Sequence, residues 1–425
     1  MSIQRGTWQS AGLSTAPATS RADGCFPFAR LDALGKVSID ARTQVEGLIA
    51  LAKRGLPRMF RKGSFAHKVK AVRINGDVAL KPEGESLRNS ICIAMGLAFV
   101  DEDDQASILK GLSLADLLRL VVTRAEFSND PGAMALALWA AAEGRGLFAS
   151  PLVVRLTKLL ESGAPLPAAE VAWILTAAIA AGPAGDTVHL VGMAGKRLMN
   201  MQSPSGLFPR FAASPAGPEE HAGYLADQTY AIQALARLSI LRRNTEALTA
   251  AEACASKMCS MQEMSGRWWW RCNTRTGEVL ATDPVLSVQQ CAIAPMALFE
   301  LTEAGGSDHL PSILKGLHWF EEHTAMKGSF VNNNLNVIWH SSRSRSSNWV
   351  SLAIAQCRQT LQQNLPASII GVGSQRIRVI RECSPDDLGW LLYGWYSGHS
   401  AANIIEPPQS GGQANLSFVP SQATA

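Results

Sequence analysis

Long apolar runs are missing from this 425-residue sequence, and nothing in it reaches the ~20 consecutive apolar residues that a bilayer-spanning helix needs. Charged residues are scarce at 17%, against 47% hydrophobic, so the chain has ample material for a core and little for a solvated tail. The eight cysteines, Cys25, Cys92, Cys254, Cys259, Cys272, Cys291, Cys357 and Cys383, include no C-x-x-C pair and read as reduced thiols. Gly-x-x-x-x-Gly-Lys-Ser/Thr, Gly-x-Gly-x-x-Gly and Gly-x-Ser-x-Gly are all absent, which removes support for a nucleotide-fold cofactor or a hydrolase elbow. No cofactor is expected. The net charge of +4 lacks the concentrated basic stripe of a nucleic-acid binder. Residues 1–24 lack the apolar stretch of a secretory signal, so the expected location is the cytoplasm.

What the sequence has in abundance is helical periodicity. Apolar residues recur at helical spacing over 41–54, 86–99, 106–123, 131–146, 150–162, 167–182, 186–202, 222–241, 244–263, 285–304, 308–323 and 386–398, with a further helix at 349–363. Strand alternation is rare. Lys68-Val-Lys-Ala-Val-Arg-Ile74 is the best case and predicts one arm of a small hairpin near 68–80. The expected domain spans 39–400, with a rim insertion at 328–383. A loose N-terminal segment, 1–38, and a disordered tail, 401–425, flank it.

A repeat organises these helices. Met201-Gln-Ser-Pro-Ser-Gly-Leu-Phe208 matches Met261-Gln-Glu-Met-Ser-Gly-Arg-Trp268, each after a helix and before another, with Gln228 and Gln289 placed at one position. Weaker copies run from Lys315-Gly-Leu-His-Trp-Phe320 through Gly328-Ser-Phe330 to Asp386, and from Arg54-Gly-Leu56 through Gly63-Ser-Phe65 to Ser86. One unit is an outer helix, a Gly-x-aromatic turn and an inner helix. Such hairpins cannot bury both faces alone, so they must stack. Twelve helices without a polar terminal pair favour closure: an all-α (α/α)6 barrel.

The Gln-x-x-x-Gly-x-Trp/Phe corner, with Lys315-Gly-Leu-His-Trp-Phe320 ahead of the third copy, resembles the QW repeat of the terpenoid cyclase and protein prenyltransferase superfamily. That resemblance implies an α/α toroid whose pocket opens at the rim where the inner helices begin. Asp101-Glu-Asp-Asp104 resembles the proton-donating D-x-D-D of one class of those cyclases. Here it follows an inner helix and precedes an outer one, which places it on the opposite rim as a capped, solvated turn. The prenyltransferases' Asp-x-Cys zinc spacing is missing around Asp283, Cys291, His340 and Cys383, so no metal is expected.

Helix N-termini carry free N–H groups and partial positive charge, which suits hydroxyl-rich or anionic ligands. The candidate catalytic residues there are Asp227, Asp386 and Asp387, as paired carboxylates for acid–base work or as ordinary helix caps. Candidate substrate contacts are His221, Tyr224, Gln228, Trp269, Trp270, Arg271, Gln289, Gln290, His340 and Glu382. Gln228 and Gln289 either touch ligand or bond backbone between hairpins. Trp268 is expected to pack between hairpins, leaving Trp269 or Trp270 to stack beside Arg271. Arg343 and Arg345 either clamp an anionic group or sit in a solvated loop. Three functions are open: an enzyme acting on a saccharide or saccharide-linked intermediate, an isoprenoid-handling enzyme, or a binding or scaffold protein. The corresponding ligands are a glycan, an isoprenoid or another small molecule.

Overall fold

The computed structural model describes residues 13–15, 29–74, 77–212, 221–282, 287–322, 326–327, 329–342 and 377–398. Its helices are α1 (Ala29–Val37), α2 (Ile39–Gly55), α3 (Leu87–Leu97), α4 (Glu102–Ile108), α5 (Leu114–Glu126), α6 (Pro131–Arg145), α7 (Ser150–Glu161), α8 (Ala168–Ala181), α9 (Val188–Met201), α10 (Leu225–Arg242), α11 (Thr245–Ser260), α12 (Ala294–Glu303, entered through a π turn at Gln289–Ile293), α13 (Leu310–Glu322) and α14 (Pro385–Tyr396). None is long and apolar enough to cross a membrane.

Two kinds of helix alternate. In α6 every residue from Gly132 to Ala142 is buried, and α3, α8 and α10 are nearly as covered. A helix apolar all round belongs inside. By contrast α5, α7 and α9 bury one stripe, as helices with a single covered face do. The inner helices α3, α6, α8, α10, α12 and α14 pack in that order, and α14 returns to α3. The chain is an (α/α)6 toroid.

Ring closure depends on two glycines. A Cβ on Gly96 of α3 would sit 2.4 Å from the Gly389 carbonyl, and one on Gly389 of α14 would sit 2.8 Å from the Cys92 backbone. Helix backbones approach this closely only where side chains are absent. On its other flank α14 bonds to the entry of α12. Pro295 has no N–H to offer the Cys291 carbonyl, and Trp395 Nε1 donates to that carbonyl at 2.8 Å.

The Gly-x-aromatic corners hold consecutive hairpins together. Gln202 Nε2 donates to the Gly206 and Ala250 carbonyls, and Gln262 Nε2 to those of Gly266 and Ser312, so each glutamine staples its own turn to the next outer helix. Gly206 and Gly266 have φ of +89° and +103°, the left-handed region open to glycine. The turn aromatic is then gripped from the inner helix. Phe65 N–H donates to Ser90 Oγ, Phe208 N–H to Gln228 Oε1 and Trp268 N–H to Gln290 Oε1. The counterpart of Gln228 is therefore Gln290 rather than Gln289. The second copy carries two more residues between corner and inner helix, which moves the register.

Other departures from the sequence reading are local. The apolar periodicity over 106–123 resolves into α4 and α5, because Lys110 and Gly111 take φ of +52° and +89° and Ser113 caps a fresh helix through Asp116 N–H. Residues 29–37, expected to be loose, form α1. Its anchor is the buried Arg30, an ionic tether that apolar spacing cannot reveal. The hairpin is Lys68–Ile74 against Asp77–Glu83, extended by Glu382–Cys383. The helix expected at 349–363 lies outside the described residues.

Candidate functional site at the inner-helix N-terminal rim

Hydrogen bonds and ion pairs link the starts of the inner helices into one rim. Asn89 Nδ2, in the first turn of α3, donates to Ser384 Oγ at the start of α14. Arg88 of α3 reaches Asp130, the N-cap of α6, with Nε at 2.5 Å from Oδ2, and Glu170 in the first turn of α8 with Nη2 at 2.8 Å. Asp227 then bridges α8 and α10, accepting from Ala169 N–H at 3.2 Å and Tyr224 N–H at 3.0 Å. Sequence inspection missed Arg88, Asp130 and Glu170, which lie on three separate helices with no local motif between them.

The opposite end of the barrel is sealed. Arg237 of α10, buried, donates through Nε to Glu300 Oε2 at 2.6 Å and pairs with Glu143. Tyr393 donates to Glu143 Oε2 at 2.6 Å, and Arg30 of α1 lies 3.4 Å from Glu300 and 3.0 Å from Glu303. Burial alone would push the Glu300 carboxyl up. Arg237 and Arg30 outweigh it and hold the group below the usual carboxylate range.

Between the two ends lies a layer of aromatic rings. Trp173 meets Tyr230 at 5.0 Å, Tyr230 meets Trp390 at 5.4 Å, and Trp139 packs edge-on against both Trp390 and Tyr393. Tilted and edge-to-face contacts at these separations are the favoured packing of aromatic rings. Tyr230 and Trp390 are buried and Trp173 half-buried, and Arg88 Cζ lies 5.6 Å from the Trp173 ring centre. Trp173 Nε1 has no hydrogen-bond partner among the described residues.

Above this floor stand the carboxylates of α14. His340 Nε2 donates to Asp387 Oδ2 at 2.6 Å, and Ser384 Oγ donates to Asp386 Oδ1. Burial pushes the Asp386 carboxyl up to about 6, aided by the neighbouring Asp387 charge and opposed by the Ser384 hydroxyl and His340. For His340 burial pulls downward, but the Asp387 charge and hydrogen bond, with Asp386 and Glu382 beyond, raise it above the ordinary imidazole value. Trp390 follows Asp387 by about one helical turn on α14, which sets the pair next to the aromatic floor.

The remaining candidates divide. Asp227 is buried with both oxygens spent on backbone N–H groups, and burial pushes its carboxyl up to about 6 against those two bonds. The hydrogen bonds of Asp227 run to Ala169 and Tyr224, and that of Asp386 to Ser384. Asp227 acts as a staple between helices. Gln228 and Gln290 are spent on the backbone of Phe208 and Trp268. Glu382 lies in the hairpin sheet opposite Lys70, at 3.5 Å from its ammonium.

Trp268 packs against Gly316 of α13, and Trp269 is equally buried. Trp270 is half-buried edge-on to Tyr224 at 5.2 Å, and Arg271 pairs with Tyr224 in a three-stranded sheet. His221 stands at the entry to that sheet with φ of +67°, its carbonyl taken by Thr274. Gln289 is buried, and its Oε1 lacks a partner among the described residues. Asp283, Arg343 and Arg345 lie outside the described residues.

No family model and no curated protein matches the sequence. Solved structures do match in shape. An unsaturated glucuronyl hydrolase specific for heparin superposes with a TM-score of 0.52 at 11% identity, over 86% of this chain and 98% of its own. The unsaturated glucuronyl hydrolase of Bacillus sp. GL1 gives 0.52 at 12% identity, over 85% and 100%. A UGL variant named together with the oligosaccharide dGlcA-Glc-Rha-Glc gives 0.50 at 13%, over 84% and 99%. At such identity the likeness is one of fold: the α/α toroid, closed over nearly the whole length of each neighbour.

Proposed function

We propose that the chain is an enzyme that acts on saccharides by acid–base chemistry at the inner-helix N-terminal rim. The observation that carries this reading is the adjacent pair Asp386 and Asp387, set above an aromatic floor at the end of the barrel opposite the buried Arg237–Glu300 cluster. The two carboxyl groups have different partners: a serine hydroxyl for Asp386 and an imidazole for Asp387. Unequal partners are how two like groups come to hold different roles. With its pKa near 6, Asp386 retains a proton in mildly acidic solution and serves as the general acid. Asp387, oriented by His340, serves as the base. Trp173 and Arg88 flank the sugar ring, and Trp270, Arg271 and Tyr224 extend the rim beyond α10. The glycan-directed names of the fold neighbours support the same class of substrate.

An isoprenoid-handling role fits less well. A cyclase or prenyl site needs a deep lumen lined by rings, whereas here the rings of Trp139, Tyr230, Trp390 and Tyr393 pack against each other.

Incubation of the purified chain with polysaccharides and oligosaccharides, followed by mass spectrometry of the products, tests the proposal. Turnover of at least one glycan, lost in Asp386→Asn and Asp387→Asn, is the expected result. Turnover that survives both substitutions would defeat the assignment.

A further inference from the structure

Arg88 is a cation already claimed twice. Its guanidinium bonds to Asp130 through Nε and Nη2 and to Glu170 through Nη2, while its side chain and that of Asp130 remain about one-third exposed, at 38% and 35%. Nη1 bonds to no described residue. Gly132 allows this arrangement, since a Cβ there would sit 2.5 Å from Nη2, so the guanidinium lies flat across the start of α6. The same group lies on the Trp173 ring. Two carboxylates on one guanidinium leave a surplus of negative charge beside the aromatic face.

Resting on the saccharide reading above, we propose that the subsite of Arg88, Asp130, Glu170 and Trp173 selects a neutral, hydroxyl-bearing sugar and rejects a uronate. A sugar hydroxyl both donates and accepts. It takes a hydrogen bond from Arg88 Nη1 while giving one to Asp130 or Glu170. A uronate carboxylate only accepts, and it would meet carboxylates of its own sign with their one counter-ion already neutralised. Like charges brought together in a partly desolvated site repel strongly. The preference is therefore set by Asp130 and Glu170, which hold the guanidinium, rather than by Arg88 itself.

The test is binding of the full chain to an array of oligosaccharides in matched pairs, each neutral sugar beside the same sugar oxidised to its uronate at C6. The neutral member of each bound pair is expected to bind about tenfold more tightly, a gap of about 1.4 kcal/mol. In Glu170→Gln one carboxylate is gone and Arg88 regains net positive charge, so the gap narrows or reverses, and more so at low salt. Asp130→Asn, which keeps an N-cap oxygen, is expected to act in the same direction, and thermal melting confirms that both variants fold. Tighter binding of the uronate member by the unaltered chain, or a gap unmoved in both variants, would overturn the inference and leave the saccharide reading intact. Failure of every pair to bind would overturn both.

Discussion

Asp387, in the first turn of the last inner helix, receives the His340 imidazole at 2.6 Å, and this bond joins strand His340–Ser342 to the barrel rim. The imidazole is raised above its ordinary pKa, so the charged form belongs to the folded state. Its contribution to stability is fully present below about 6.5, the unfolded value, and is lost as pH rises through the higher folded value. The melting-temperature difference between the unaltered chain and His340→Ala is therefore expected to be largest near pH 6 and to shrink at pH 8 to 9. A difference that grows with pH would contradict the pairing.

Asp386 gives a second dependence on pH. A general acid with a pKa of about 6 loses its proton above that value, so kcat/KM on any turned-over glycan is expected to fall as pH rises through about 6. Asp386→Asn is expected to lower kcat by about 10²–10⁴-fold. The same raised carboxyl favours the folded state below about 3.9 and withdraws that support as pH climbs toward 6. Relative to the unaltered chain, Asp386→Asn should accordingly be more stable at pH 8 than at pH 4, which urea unfolding at the two pH values will show.

Gln228 tests the division between contact and scaffold. It is fully buried, and its amide serves the N–H and carbonyl of Phe208 and the carbonyl of Tyr224. Gln228→Ala leaves buried backbone groups unpaired and is expected to cost about 1–3 kcal/mol in urea unfolding. Glycan affinity of the folded fraction, read by calorimetry, should not change. A selective loss of affinity would return Gln228 to the ligand site.

The seam between α3 and α14 has no room for a methyl group. Gly389→Ala would drive a Cβ to 2.8 Å from the Cys92 carbonyl and is expected to destabilise by about 1–3 kcal/mol through overpacking. Gly192, whose Cβ would meet nothing within 4 Å, is the control: its alanine variant should melt at or above the original temperature, because alanine favours the helix.

At the sealed end, Glu300→Gln would leave Arg237 and Arg30 buried with part of their counter-charge gone. Removing one member of a buried ionic cluster typically costs about 3–5 kcal/mol. The expected result is a large drop in denaturation midpoint, with little change in the pH profile of turnover, since the cluster lies at the far end of the barrel from Asp386.

Residue spacing alone carried the helices, their pairing into hairpins and the closed ring, because apolar periodicity and a repeated corner are local signals that survive in one dimension. It also put Asp386, Asp387 and His340 together at the inner-helix N-terminal rim, where His340 meets Asp387. The register of the inner glutamines escaped it. Gln289 and Gln290 are adjacent in sequence, and only the bond from Trp268 N–H shows which of them faces the corner.

What the sequence by itself determined is the toroid: helices as apolar as α6 and α8 cannot be solvated, and hairpins that leave a face uncovered must stack until the last meets the first. Only the tertiary structure decided which polar residues are spent on the scaffold. Asp227 and Asp386 look alike as carboxyls in a first helical turn, yet one spends both oxygens on two helix starts while the other keeps a serine and an acidic neighbour. Arg88, Asp130 and Glu170 belong to three consecutive inner helices separated in the chain by outer ones, so only the side-by-side packing of α3, α6 and α8 brings them together. A carboxylate's role follows from what surrounds it, and its surroundings are set by which helices become neighbours.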